Sequence, residues 1–232
     1  MSHKKKSPNI VALVLAGGTG RRVGADCPKQ FVEIDDESIL LHTLKAFKDH
    51  VNHIEVVCQP EWMDYIVEQE LMVKDLVVTV SKAGETGFDS LCSGVEGLNV
   101  FSDDTLVMVH DAVRPFVSEE IIKRNIEVAT QFGNAITSVE IYETLLSAPE
   151  GNGVVRSMTR REGMFRAQTP QTFTLGALRH MISEARRLNI SNAQSACVLA
   201  QQLGYELHLS PGDIRNFKIT TPSDLDLYFD LL

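Results

Sequence analysis

The 232-residue sequence lacks features that mark several common protein classes. Its four cysteines are widely spaced and form no C-x-x-C pair, so a cysteine metal site is not indicated. No apolar run approaches the length of about 20 residues that a membrane helix needs. An excess of positive charge is also missing, because the net charge is −9, which argues against a general nucleic-acid binder. We therefore expect a cytoplasmic protein with reduced thiols, no membrane segment and no nucleic-acid partner.

Short β-branched runs alternate with helical patterns along most of the chain. This rhythm is typical of a mainly parallel sheet flanked by helices, and the length suits a single domain over residues 1–232. Pro222, preceded by Thr221 as N-cap, marks the start of the last helix. The predicted strands span 10–15, 54–58, 77–80, 105–109, 135–141, 205–209 and 217–219. The predicted helices span 39–47, 62–71, 90–96, 119–131, 175–187 and 194–203, and a last one begins at 222.

The stretch 142–168 interrupts this rhythm. Pro149, Gly151, Asn152 and Gly153 form a turn between two extended segments. We interpret the stretch as a hairpin that protrudes from the domain as a β-arm.

A glycine-rich loop follows the first apolar run. The sequence Ala16-Gly-Gly-Thr-Gly-Arg-Arg-Val23 leads to Pro28-Lys-Gln-Phe31. Glycines let the backbone bring N–H groups close to an anion, and Arg21, Arg22 and Lys29 supply positive charge, so the loop is predicted to bind a polyphosphate. A dinucleotide fingerprint is not completed, because Val23 occupies its third glycine position, and the signature G-x-x-x-x-G-K-[ST] is absent. The alternative is an ordinary tight turn with solvated arginines.

Three further segments and the later Lys218 are candidates for function, because ligands of open α/β sheets bind at the carboxyl ends of the strands. Asp111 and Arg114 follow a buried strand and could bind a ribose, a metal or a phosphate, or could simply pair with each other. The segment 84–90 could contact a nucleoside or be an ordinary turn. Arginines on the hairpin could bind an anion or a second subunit, and Lys218 could point at the same phosphates.

Four segments together resemble the sugar-phosphate cytidylyltransferases, a family that includes methylerythritol 4-phosphate and ribitol 5-phosphate cytidylyltransferases. They are the glycine loop with Pro28-Lys-Gln-Phe31, His110-Asp-Ala-Val-Arg-Pro115, Arg166-Ala-Gln-Thr-Pro-Gln171 and Asn216-Phe-Lys-Ile-Thr-Thr-Pro-Ser-Asp-Leu225. The resemblance runs from about residue 10 to the C-terminus. It implies a Rossmann-like nucleotidyltransferase fold, CTP and Mg²⁺ or another divalent cation, and a homodimer formed through the β-arm.

The resemblance also implies a role for each matched residue. The phosphates of CTP would lie against Ala16, Gly17, Gly18 and Gly20, with Arg22 and Lys29 neutralising their charge. Cytosine would be read by Gly84, Glu85 and Ser90. On the acceptor side would lie Asp111, Arg114, Ser191 and Lys218, with Asp111 also the candidate metal ligand. Thr144 and Arg161 would reach the acceptor phosphate from the partner's arm. The catalytic set would comprise Arg22, Lys29, Arg161 and Lys218.

The acceptor is less well indicated than the chemistry. Methylerythritol enzymes usually carry an arginine where this chain has Gly87, and often a lysine where it has Leu146. Their acidic pattern before the late helix appears here as Ser191-Asn192-Ala193. We therefore favour ribitol 5-phosphate and keep 2-C-methyl-D-erythritol 4-phosphate as the alternative. A catalytically impaired nucleotide-binding protein and an NAD-dependent oxidoreductase are the remaining hypotheses.

Overall fold

A computed structural model of the chain describes residues 9–18, 27–34, 36–70, 77–149 and 151–232. Its strands are β1 (Ile10–Ala16), β2 (Glu33–Ile34), β3 (Glu37–Ser38), β4 (His53–Cys58), β5 (Val77–Lys82), β6 (Leu106–Asp111), β7 (Asn134–Glu140), β8 (Leu145–Ser147), β9 (Ser157–Thr159), β10 (Phe165–Thr174) and β11 (Leu209–Pro211). Its α-helices are α1 (Ile39–Phe47), α2 (Met63–Glu70), α3 (Gly87–Gly97), α4 (Glu119–Phe132), α5 (Leu175–Leu188), α6 (Ala196–Gln202) and α7 (Pro222–Leu231). No helix among these residues is both long and apolar enough to cross a membrane.

The central sheet has the strand order β11-β7-β10-β6-β1-β4-β5 in the described chain. β1 pairs in parallel with β4 and β6, β4 with β5, and β11 with β7, whereas β10 runs antiparallel to β6 and β7. The predicted α/β class with a mainly parallel sheet is thus confirmed. The chain builds β4 and β5 on one side of β1 and then crosses to β6 on the other, and such a switch point is where open sheets bind ligands.

The sheet has core on both faces, which explains why β1 consists of apolar residues alone and why every residue of β4 is buried. Leu13 of β1 packs into a cluster with residues of α3, α5 and α6, such as Leu91, Met181 and Leu199. Its neighbour Val14 faces the opposite cluster, which includes residues of α1, α2 and α4. The two clusters hold the sheet rigid beneath the loops at its carboxyl edge.

Local capping signals set the helix boundaries as the sequence predicts. Ser118 accepts a hydrogen bond from the Ile121 amide at the start of α4. Thr221 and Asp224 form a reciprocal capping box at the start of α7, with Pro222 as its first residue. These bonds satisfy amide groups that a helix start leaves without an internal partner.

The structure corrects two predicted strands. The edge strand lies at Leu209–Pro211, where it pairs with β7, and not over 205–209. The segment 217–219 is not a strand, because its backbone makes single hydrogen bonds to a neighbouring loop and to side chains instead of a ladder.

The stretch predicted as an arm contains an antiparallel pair, β8 with β9, and its turn includes Gly151 and Gly153 in left-handed conformations. Residues 165–168, which the prediction placed in the arm, belong to β10, since Phe165 and Arg166 pair with β7. The arm side chains Leu146 and Met158 are 59% and 72% exposed.

Candidate active site

A cleft of about 490 Å³ opens at the carboxyl ends of β1, β4, β5 and β6. Its position at the switch point of the sheet is the one predicted for a ligand site. The cleft is lined by Leu15, Ala16, Gly17, Gly18, Lys29, Gln30, Gln59, Gly84, Glu85, Thr86, Gly87, Ser90, Asp111, Ala112, Val113, Gln194 and Lys218. Nine of the predicted site residues are therefore brought together: Ala16, Gly17, Gly18, Lys29, Gly84, Glu85, Ser90, Asp111 and Lys218.

The turn after β1 is held in place by two glutamine side chains. The Gln30 amide donates to the carbonyls of Ala16 and Gly18, at 2.6 and 2.8 Å, and the Gln59 amide donates to the carbonyl of Gly17 at 3.0 Å. Because the C=O and N–H of a planar trans peptide point in opposite directions, fixing these carbonyls also fixes the direction of the amides of Gly17 and Gly18. The loop thus presents backbone N–H groups in a set orientation.

Gly17 is required by close packing as well. A Cβ at this position would lie 2.6 Å from the Ala83 Cβ, which is too short for any other residue without a backbone shift. The turn after β1 therefore packs directly against the end of β5. The predicted site residues Gly20 and Arg22 lie outside the described residues.

Lys29 lies in a short 3₁₀ turn, Lys29–Phe31, that follows Pro28. Its side chain reaches the cleft although the residue is only 8% exposed. The ammonium donates to the carbonyl of Ile219 at 2.6 Å, and Phe31 beside it stacks on Trp62 with ring centroids 4.1 Å apart. The turn therefore fixes a largely desolvated positive charge next to the glycine loop, where its attraction for an anion is strengthened.

The loop after β5 is shaped by the start of α3. Thr86 and Asp89 form a capping box, and the Ser90 hydroxyl donates to the Thr86 carbonyl at 3.0 Å while it accepts from the Gly84 amide at 3.2 Å. Ser90 is thus engaged in holding the loop that lines the cleft. Glu85 is exposed at the cleft rim.

Asp111, the last residue of β6, forms the charged centre of the site. One carboxylate oxygen lies 2.9 Å from the Lys218 ammonium, and the other lies 2.9 Å from Nε of Arg114. Burial alone would raise the pKa of Asp111, but the two cations outweigh it and lower the pKa to about 2. The carboxylate is therefore ionised at neutral pH.

Arg114 does not line this cleft. Its guanidinium also donates to the Asn216 carbonyl at 2.8 Å, and its side chain is only 11% exposed. The Asp111–Arg114 ion pair, one of the two possibilities left open by the sequence, is thus present. Contact between Arg114 and a ligand stays a prediction.

His110 lies behind Asp111, fully buried. Its Nε2 is 3.2 Å from the Arg114 carbonyl, which only accepts hydrogen bonds, so Nε2 carries the proton. Nδ1 then accepts from the Thr169 hydroxyl at 3.0 Å, and the same oxygen accepts from the Asp111 amide at 3.1 Å. Burial lowers the pKa of His110 to about 4, so the imidazole is neutral at pH 7. Its hydrogen bonds assign it a structural task.

The remaining predicted residues lie away from the cleft. Thr144 and Arg161 are exposed on the arm, where Arg161 donates to the Tyr142 carbonyl at 2.6 Å. Ser191 is exposed in the segment between α5 and α6, and it is not among the residues that line the cleft. Within one chain the structure therefore does not bring these three side chains to Asp111.

The described part of the chain contains no group of three or more His, Cys, Asp or Glu side chains arranged to hold a metal ion. At Asp111, the candidate metal ligand, both carboxylate oxygens already contact cations. A divalent ion at this carboxylate would have to take most of its ligands from a bound phosphate, as magnesium commonly does.

Two cleft residues, Gln59 and Gln194, lie outside every segment that the sequence singled out. Gln59 directly follows the buried strand β4, and that position was the signal that could have identified it. Gln194 precedes a short helix and has no motif that marks it.

The chain is similar to several known proteins. A family model described as "IspD: 2-C-methyl-D-erythritol 4-phosphate cytidylyltransferase" matches residues 10–229. The chain is 35% identical to a 2-C-methyl-D-erythritol 4-phosphate cytidylyltransferase from Geotalea uraniireducens, over 93% of each chain. It is 33% identical to a ribitol-5-phosphate cytidylyltransferase from Streptococcus agalactiae, over 94% of this chain and 93% of the relative. The crystal structure of the Francisella tularensis IspD matches with a TM-score of 0.81 and 27% identity, covering 97% of this chain and all of that one.

The buried imidazole gives a testable dependence of stability on pH. Unfolding exposes a histidine of ordinary pKa, about 6.5, so between pH 6.5 and 4 the unfolded state binds more protons than the folded state. The free energy of unfolding should fall as the pH is lowered through this window, by about 3 kcal/mol from this group. In His110→Gln, which keeps an N–H donor but cannot titrate, urea unfolding at several pH values should show a shallower fall.

The range from pH 8 to 9 serves as the internal control, because His110 is essentially neutral there in both states and should add nothing to the slope of either protein. Asp111, whose pKa is lowered to about 2 in the folded state, is present in both proteins, so its protonation on unfolding contributes to both slopes. An undiminished slope in His110→Gln between pH 6.5 and 4.5 would contradict the assignment of the neutral tautomer.

Proposed function

This chain belongs to the IspD family of cytidylyltransferases, and from that membership we propose that it transfers CMP from CTP to the phosphate of a linear sugar alcohol, releasing pyrophosphate. The favoured acceptor is ribitol 5-phosphate, with CDP-ribitol as the product. The observation that carries the proposal is the cleft itself: it joins an oriented glycine turn, a buried lysine and an Asp111–Lys218 pair at the switch point of the sheet.

The donor side of the proposed site is the turn after β1. Its oriented amides at Gly17 and Gly18 suit phosphate oxygens, and Lys29 adds a desolvated positive charge beside them. Gly20 and Arg22 complete this side in the proposal. The neighbouring loop 84–90 would hold the cytosine, with the backbone of Gly84, the exposed Glu85 and Ser90 offering polar groups.

The acceptor side of the proposed site is built around Asp111. Lys218 lies on the cleft wall, and its side chain is 42% exposed, so it can meet an incoming phosphate without losing all of its contact with Asp111. Arg114 holds Asp111 and the Asn216 carbonyl from behind. We assign Arg114 a positioning role that fixes the carboxylate.

The proposed reaction needs no general base. A phosphate monoester is already anionic at pH 7, so one of its oxygens can attack the α-phosphorus of CTP directly. The new P–O bond forms as the bond from the α-phosphorus to the bridging oxygen breaks, and pyrophosphate leaves with the electron pair. The neutral, buried His110 is consistent with this scheme, because it is not among the residues that line the main cleft.

Repulsion between two anions is the main obstacle to this reaction. Two fixed cations of the cleft, Lys29 and Lys218, would reduce it by positioning the phosphates and by stabilising the charge that builds up in the transition state. Magnesium would be held mainly by the phosphates of the nucleotide, with Asp111 as the available carboxylate, and when bound would neutralise phosphate charge.

The proposal includes a homodimer. Thr144 and Arg161 lie on the arm away from the cleft of their own chain, so they can serve the acceptor phosphate only in another copy. The exposed apolar side chains Leu146 and Met158 on the arm support a contact with a partner surface.

Both acceptors named by the relatives remain candidates, because the comparisons support them equally. The choice of ribitol 5-phosphate rests on the missing side chain at Gly87, where a Cβ would meet only the Gln194 carbonyl, at 4.0 Å, among the described residues. The cleft thus lacks, at this point, the arginine that methylerythritol enzymes usually carry.

The direct test is a pyrophosphate-release assay with CTP and Mg²⁺, run in parallel with ribitol 5-phosphate and 2-C-methyl-D-erythritol 4-phosphate. We expect a kcat/KM at least tenfold higher with ribitol 5-phosphate. The opposite ranking would replace the favoured acceptor by the alternative. CTP binding without release from either compound would indicate a nucleotide-binding protein that lacks the activity.

Lys218 provides a test of the acceptor side. Lys218→Gln removes a charge-assisted contact to the phosphate, so kcat/KM should fall by about 100-fold, which corresponds to about 3 kcal/mol of transition-state stabilisation. Arg215→Gln is the matched control, because Arg215 is an exposed cation of the same segment that pairs with Asp213 outside the cleft. Equal activity of Lys218→Gln and wild type in steady-state assays would remove Lys218 from the site.

A further inference from the structure

Gln194 is a cleft residue that none of the four matched segments contains. It lines the main cleft and also a smaller adjoining cavity of about 50 Å³, which it shares with Gly87 and Asp111. The residue is exposed to solvent. It therefore stands at the junction of the nucleotide loop and the charged centre.

The backbone around Gln194 is fixed on both sides. Ala193 is 5% exposed and packs into the core cluster beneath α5 and α6. Ser195 is the N-cap of α6, and the Cys197 amide in the first turn donates to the buried Gln171 side chain at 2.9 Å. With its neighbours anchored, Gln194 is held at the cleft wall.

The amide of Gln194 has no hydrogen-bond partner within the described part of the chain, whereas the other two glutamines of the cleft, Gln30 and Gln59, are both bonded to the glycine turn. An exposed amide that borders a ligand cleft can offer one donor group and one acceptor oxygen to a bound molecule. Space for such a molecule is present, since the nearby Gly87 has no side chain.

We propose that Gln194 is a specificity-determining residue whose side-chain amide binds a hydroxyl group of the substrates. This inference rests on the proposed function, in which two substrates carry vicinal hydroxyls: the ribose of CTP and the polyol chain of the acceptor. A neutral amide matches a hydroxyl, which both donates and accepts, whereas the phosphates have the cations Lys29 and Lys218. Because Gln194 lines the same small cavity as Gly87 of the nucleotide loop and Asp111, the hydroxyl could come from the ribose of CTP or from the acceptor.

The expected effect is that of one hydrogen bond at a partly solvated site. Gln194→Ala should weaken the binding of the substrate that the amide contacts by about fivefold to tenfold, which corresponds to about 1 to 1.4 kcal/mol. Because the contact is made before and during the reaction, the change should appear in KM or Kd, with kcat within about twofold of wild type.

The experiment measures binding of CTP and of 2′,3′-dideoxy-CTP by calorimetry, and the KM of the acceptor by pyrophosphate release, for wild type and Gln194→Ala. If the amide binds the ribose, the variant loses affinity for CTP but not for the dideoxy nucleotide. If it binds the acceptor, the affinity for CTP is unchanged and the acceptor KM rises.

The matched control is Gln202→Ala, an exposed glutamine at the far end of α6 that does not line the cleft. This control should leave the affinity for CTP, the affinity for dideoxy-CTP and the acceptor KM unchanged. Both variants should melt at the wild-type temperature. Equal losses for CTP and dideoxy-CTP would overturn the proposal, because the contact would then not be to a hydroxyl. The proposal would also be overturned if Gln194→Ala changed neither nucleotide affinity nor the acceptor KM, or if Gln202→Ala had an effect as large as that of Gln194→Ala.

Failure of the proposed function gives a different result. Wild-type protein that releases no pyrophosphate with either acceptor would contradict the transfer reaction, while the two nucleotide titrations would still show whether Gln194 binds the ribose. An inert Gln194 in a fully active enzyme would leave the proposed function intact and remove this inference alone.

Discussion

The pairing of Asp111 with two cations is the interaction on which the arrangement of the cleft depends. Arg114 comes from the loop directly after β6, whereas Lys218 comes from a segment about one hundred residues later in the chain. The ion pairs therefore join the end of the sheet to the C-terminal segment. The hydrogen bonds from Lys29 to Ile219 and from Arg114 to Asn216 reinforce the same junction. Removing the carboxylate would leave two cations without their counter-charge in a partly buried site.

This junction also explains how an acidic chain can receive anions. The chain has a net charge of −9. At the cleft, however, Arg114 balances the charge of Asp111, so the two lysines Lys218 and Lys29 outweigh the remaining acid of the described lining, Glu85 at the rim. Burial keeps the neighbouring His110 neutral at pH 7, so it adds no charge of its own. The electrostatic preference of the site is thus set by a few fixed groups and not by the field of the whole protein.

Much of the fold could be predicted from the sequence, because its signals are local: apolar strands, the caps Ser118 and Thr221, and the glycine loop after β1. The errors at 205–209 and 217–219 arise where pairing with distant residues decides the structure. For the site, motif positions identified both walls of the cleft. Spacing alone could not tell whether Arg114 faces a ligand or pairs with Asp111, and an amide such as Gln194 carries no signature in a single sequence.

The central claim is that this cleft holds the nucleotide with its phosphates on the turn after β1. A crystal structure of the protein with CTP and Mg²⁺ tests it most directly. We predict phosphate oxygens within hydrogen-bond distance of the Gly17 or Gly18 amide and near the Lys29 ammonium, and the cytosine against the loop 84–90. A nucleotide bound at another surface, or bound here in the reverse direction, would contradict the account.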